Sequence, residues 1–127
     1  MHELSIAESL MRQIEQLAAR HHATRVDGVE VETGVMRLVE HEALRSAFEV
    51  VSEGTIAQGA RLAITDVPAL ARCRACGAEY APGDRFDFAC PSCRKADVDI
   101  VRGDDIILAT VEMDVPVDEQ VEGRDYA

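Results

Sequence analysis

Four cysteines fall in two pairs, Cys73 with Cys76 and Cys90 with Cys93, in the spacing C-x2-C-x13-C-x2-C. A two-residue gap lets both sulfurs of a pair reach one ion, and two such pairs complete a tetrahedron. Four thiolates suit zinc and leave no open position, so the ion is expected to be structural. Gly77, directly after Cys76, gives the first knuckle the backbone freedom to turn its amides toward the sulfurs, and Pro91 stiffens the second. A redox CxxC usually opens a helix after a strand, and two in one loop would be out of place. An iron–sulfur cluster also takes four cysteines, but the ribbon-like spacing favours zinc. Between the outer cysteines lie Gly77, Pro82, Gly83 and Pro91, with only Tyr80, Phe86 and Phe88 as large apolar side chains. Such a segment is expected to be a metal-stapled module without a core of its own.

The chain around this module carries ordinary periodicities. From Leu4 to about Arg20, Ile6, Leu10, Ile14 and Leu17 recur at helical spacing, with Ala7, Met11 and Ala18 beside them. Ser5 and Glu8 are spaced as a capping box for its start. Val26 to Thr33 alternates as a strand, with Val29 and Val31 opposite Glu30 and Glu32, and Gly34 ends it. A second helix is predicted from about Glu40 to Val51 on the face of Leu44, Ala47, Phe48 and Val51, stopping at Gly54. Strands are predicted around Ala60 to Asp66, at Val98 to Val101, and at Ile106 to Val115. In the last, Ile107, Ala109, Val111 and Met113 oppose Leu108, Thr110 and Glu112. The fold class is therefore α+β: a small mixed sheet with two helices, plus an inserted zinc-ribbon-like module. The expected divisions are residues 1–69 with 98–115, an insertion over 70–97, and an acidic, flexible tail over 116–127.

Composition narrows the function classes. With no Trp and 4% aromatic residues, the core must be aliphatic. The net charge of −11 would repel phosphate backbones, which argues against nucleic acid as a partner. It suits solubility, basic protein partners or the handling of cations. No apolar run approaches the roughly 18 residues of a membrane span, and MHELSIAESL lacks the basic start of a secretory signal. A cytoplasmic setting is expected, where thiols stay reduced. No nucleophile motif or glycine-rich phosphate loop is present, so the chain does not read as an enzyme.

The N-terminus is the second chemical feature. In Met1-His2-Glu3 an α-amine, an imidazole and backbone nitrogens lie within a few bonds, a planar set suited to Ni(II) or Cu(II), and the Glu3 carboxylate could assist. A frayed histidine with no task is the plain alternative. His21 and His22 close the first helix, where a cation favours the dipole. His41 reads as a surface residue of the second helix.

MHELSIAESL followed by a helix, then VEVETG, a helix carrying SAFE (Ser46 to Glu49), and CRACG…CPSC together resemble the HypA/HybF family of hydrogenase maturation factors, from Met1 to about Val115. The resemblance implies a nickel metallochaperone. Such a protein delivers Ni(II) to the large subunit of [NiFe]-hydrogenase with a HypB-type GTPase, and in some organisms serves urease through its accessory proteins. By position, His2 looks like the family's nickel ligand, with the Met1 amine, nearby backbone nitrogens and Glu3 completing the site. Glu40, with His41 beside it, takes the place of an acidic residue that approaches the metal from the second helix. A capping acid is the other reading of Glu40. Cys73, Cys76, Cys90 and Cys93 match the family's zinc ligands. A monomer or weak homodimer is implied, and the tail beyond Val115 looks longer than usual. The competing class is a zinc-ribbon adaptor that mediates protein–protein contact without nickel delivery.

Overall fold

The computed structural model describes residues 2–83 and 87–116, with His2 described through its backbone. The Met1 amine, Phe86 and the acidic tail beyond Pro116 lie outside the described residues.

Helix α1 spans His2–Arg20. Its buried stripe is Ala7, Leu10, Met11, Ile14 and Ala18, with Ile6 and Leu17 half-buried at the margins. Because the helix already begins at His2, Ser5 lies inside its first turns and is not the N-cap the sequence suggested. The C-terminus closes with His22 in the left-handed region at φ 56. There the His22 amide donates to the Ala19 carbonyl at 3.2 Å and the Ala23 amide to the Ala18 carbonyl at 2.8 Å. This paired closure satisfies carbonyls that the helix itself cannot.

Strand β1, Arg25–Gly34, is the middle of a three-stranded sheet in the order β2-β1-β6, where β2 is Arg61–Val67 and β6 is Ile106–Asp114. Val29 and Val31 are buried, as the alternation requires, and Val26 is buried as well although it has the opposite parity. Helix α2, His41–Ser52, buries Leu44, Phe48 and Ser52 at four-residue intervals and packs against α1. Ala47 and Val51, expected on its buried face, are half-buried. In β6 the alternation is not continuous. Ile106 and Leu108 are the half-buried residues of its first part, and Val111 and Met113 those of its second. The consecutive exposed pair Ala109-Thr110 interrupts the period, so the half-buried positions are even-numbered before it and odd-numbered after it.

A second three-stranded sheet has the order β4-β3-β5, with β3 Leu70–Cys73, β4 Glu79–Tyr80 and β5 Val98–Arg102. β3 pairs antiparallel with both neighbours, Ala71 opposite Tyr80 and Cys73 opposite Val98. The chain thus forms two compact units. One is built on Met1–Val31, Val39–Ile64 and the segment from Leu108. The other comprises Glu32–Leu38 and Thr65–Ile107. Val98 to Val101, grouped by sequence with the N-terminal domain, hydrogen-bond to β3 in the second unit. That unit has a small core: Ala71, Cys73, Tyr80 and Cys90 are buried, with Ala78, Cys93, Val98 and Ile100 packed around them. The segment between the cysteines does not build this core alone, since Ala71, Val98 and Ile100 come from the flanking strands.

The second unit also contains a close backbone approach. The Gly34 amide donates to the Asp105 carbonyl at 2.7 Å, and the Met36 amide to the Gly103 carbonyl at 2.9 Å. A Cβ on Gly34 would lie 2.2 Å from the Gly103 carbonyl carbon, and one on Gly103 would lie 2.6 Å from the Ala69 Cα. Gly103 also has φ +91.

Candidate metal centre

The four cysteines converge. One ligand atom from each, the Sγ, lies within 4.8 Å of the other three. Cys73 and Cys93 approach to 3.5 Å and Cys76 and Cys90 to 3.6 Å. Four sulfurs at zinc–thiolate bond length would sit on tetrahedron edges of about 3.8 Å, so the donor set fits a structural zinc ion.

Two knuckles of the same build present these sulfurs. In the first, the Cys73 amide donates to the Ala78 carbonyl at 2.8 Å and the Gly77 amide to the Cys73 carbonyl at 2.8 Å. In the second, the Cys90 amide donates to the Lys95 carbonyl at 2.8 Å and the Arg94 amide to the Cys90 carbonyl at 2.7 Å. Gly77 and Arg94 occupy equivalent left-handed positions, at φ 81 and φ 68. The need for Gly77 was readable in the sequence; the same demand on Arg94 was not, because a non-glycine residue meets it. The readable signal was the shared offset, one residue past each CxxC.

Backbone amides favour ionisation of all four thiols, and contacts between the thiols then push the two members of each knuckle in opposite directions. Cys73 is lowered from the usual thiol range chiefly by the Cys76 amide, against the effect of burial. Cys90 is pulled down to about 6, first by the Cys93 amide and then, against burial, by that of Ser92. The second thiol of each knuckle behaves oppositely. Cys76 receives the Ala78 amide, but the neighbouring Cys90 thiol and burial push it up to about 11. Cys93 receives the Lys95 amide yet is raised by Cys73 and burial. Each knuckle therefore pairs one buried thiol whose ionisation is eased, Cys73 or Cys90, with one that holds its proton more firmly, Cys76 or Cys93.

The surroundings fix the knuckles to the strands. The Arg74 amide donates to the Asp97 carbonyl at 2.9 Å, and the Arg74 guanidinium bridges the carboxylates of Asp97 and Asp99. The Tyr80 hydroxyl donates to the Phe88 carbonyl. Burial raises the Tyr80 pKa, and negative charge on Cys90 and Cys73 adds to it.

At the other candidate site, the first turn of α1 meets the start of α2. The Glu40 amide donates to the Glu3 carboxylate at 3.2 Å. Glu40 is the N-cap of α2, its carboxylate accepting from Ala43 at 2.9 Å and Glu42 at 3.4 Å. Glu3 and Glu40 are thus brought together, with His2 adjoining Glu3 on the same helix and His41 opening α2. His21 and His22 stand beyond the opposite end of α1. Among the described residues no helix is long and apolar enough to cross a membrane.

Comparison with known proteins covers both sites. Residues 1–113 match the family model described as hydrogenase/urease nickel incorporation, metallochaperone, HypA. The hydrogenase maturation factor HypA of Azotobacter chroococcum mcd 1 is 40% identical over 114 residues, spanning 90% of this chain and 100% of that protein. That of Azotobacter vinelandii is 38% identical over the same shares. The solution structure of the Ni metallochaperone HypA from Helicobacter pylori superposes with a TM-score of 0.70 at 25% identity, covering 90% of this chain and 98% of that one. A second solution structure of a HypA protein gives 0.71 at 28% identity, covering 89% and 96%.

Proposed function

Since this chain belongs to the HypA family of hydrogenase maturation factors, we propose that it is a nickel metallochaperone that takes up Ni(II) at its N-terminus and passes it on during the maturation of [NiFe]-hydrogenase. The observation that carries this reading is the family match over residues 1–113, which runs unbroken from the His2 end through the second cysteine pair. His2 supplies the imidazole, the Met1 amine and adjacent backbone nitrogens complete a planar set, and Glu3 adjoins it. Such ligands favour a d8 cation in square-planar geometry. A terminal site can release its ion to an acceptor more readily than a buried cage. Both the imidazole and the amine must be neutral to bind, so nickel affinity falls as the pH is lowered.

Cys73, Cys76, Cys90 and Cys93 hold a zinc ion that binds the second unit together and takes no part in turnover. The chain performs no catalysis of its own. Its partners are a HypB-type GTPase and the hydrogenase large subunit, with urease accessory proteins as a second destination, and it works in the cytoplasm. The adaptor reading lacks a comparable observation in its favour.

The test is nickel titration calorimetry on the wild type, on His2→Ala, and on a chain extended by one N-terminal residue. His2→Ala loses nickel binding while keeping zinc and the fold, and the extension weakens binding if the free amine is a ligand. Unchanged nickel binding in His2→Ala would sink the proposal.

A further inference from the structure

The α2 N-terminus is held by two carboxylates from two helices. Glu40 uses one oxygen on the Ala43 amide at 2.9 Å and the other on the Glu42 amide at 3.4 Å. Glutamate is not among the favoured N-cap residues, which are short: Asn, Asp and Ser. Its added length lets it take two amides here. In a capping box, a Glu or Gln three residues on would accept the N-cap residue's own amide. In α2 that position is Ala43, which cannot. The acceptor comes instead from α1: Glu3 takes the Glu40 amide at 3.2 Å. The box is completed in trans, and the bond that completes it anchors the residue next to His2.

We infer that Glu40 is a positioning residue for nickel capture, acting through its cap and not as a donor to the metal. By fixing the first turn of α2 it keeps its own amide aimed at Glu3, and Glu3 keeps the His2 turn docked. Fraying of that turn lowers the fraction of molecules with the ligands assembled, and apparent affinity falls by the same fraction. This inference rests on the nickel reading above.

The experiment is nickel titration on the full chain, paired with NMR amide exchange at Ala43. Glu40→Ala removes the cap; nickel binding weakens measurably, by up to about tenfold where the uncapped turn is mostly frayed, and Ala43 exchanges faster. Glu40→Ser restores a cap, and Glu40→Gln retains an acceptor without the charge. Both bind nickel within about twofold of wild type and protect Ala43. Should Glu40→Ala fail to fold, the serine and glutamine variants decide alone. A loss in them as large as expected for alanine, with Ala43 still protected, means the carboxylate itself is required, and overturns the inference. Unchanged affinity in Glu40→Ala overturns it too. If His2→Ala leaves nickel binding intact while Ala43 stays protected, the nickel reading falls and takes this inference with it. That outcome is separate from a failure of the cap alone.

Discussion

Gly77 and Gly103 both adopt positive φ, at +81 and +91, but stand in different surroundings. Nothing lies within 4 Å of a Cβ placed on Gly77, so alanine there meets only the backbone penalty. Gly77→Ala should lower stability by about 1–2 kcal/mol. On Gly103 the same atom would lie 2.6 Å from the Ala69 Cα and 2.8 Å from the Pro68 carbonyl oxygen, and backbone does not step aside as a flexible side chain can. Gly103→Ala should therefore be the more damaging by at least about 2 kcal/mol, measured by denaturant unfolding of the zinc-loaded proteins. The thiols give a second residue-scale prediction. At pH 7 Cys76, pushed up to about 11, and Cys93, raised above the usual thiol value, hold their protons in the metal-free site. Zinc binding at that pH should release at least these two protons, and affinity should rise with pH while they remain to be displaced. Calorimetry in buffers of different ionisation enthalpy counts them; a release of none would show that the site is already fully ionised. The cysteines themselves were legible in the sequence because their spacing is a direct statement of geometry. Arg94 was not, because its strained conformation is imposed by the second knuckle's hydrogen bonds and leaves no glycine to mark it.

At the scale of elements, both helices were legible from their period, because each buries one face, and the three longer strands from apolar alternation. What escaped were features decided by partners distant in sequence. β4 is two residues long and exists because Ala71 and Arg72 pair with Tyr80 and Glu79. The change in β6 is invisible in the sequence, where Ile107, Ala109, Val111 and Met113 keep an unbroken apolar alternation. The start of α1 at His2 overrode a plausible capping box at Ser5, while Glu40, read either as capping acid or as a group near the metal, sits at the N-cap of α2. Packing of the two helices rests on few large side chains, since the core has no Trp, and Phe48 is 3% exposed on the α2 face. Phe48→Ala should cost about 3–5 kcal/mol. Thermal unfolding followed at the helix band checks this; a loss under 1 kcal/mol would mean that the neighbours of Phe48 close the space.

Over the whole molecule, the two units depend on different glues. The unit containing α1 and α2 buries a run of aliphatic residues: Leu10, Ile14, Val26, Val31 and Leu44 are each 2% exposed or less. The other relies on a core of Ala71, Tyr80 and two of the cysteines. Removing zinc should therefore act unevenly. Chelation should abolish amide protection at Ala71, Tyr80 and the knuckles while the helical signal persists, read by hydrogen exchange with and without chelator. Simultaneous loss of α1 and α2 would contradict this independence. The division could not be drawn from sequence, because Val98 and Ile100 read equally well as strand residues of either unit until their partner is known.

The matched hydrogen bonds of the knuckles bear on how long the ion stays. Each knuckle closes on itself through its own amides and carbonyls, so neither depends on the other for its shape. An ion held here would leave by letting go of one pair of sulfurs while the second pair retained it, and the released pair, tethered nearby, would face it at high effective concentration and recapture it. Residence time is thereby set by the rare moment when both jaws open together.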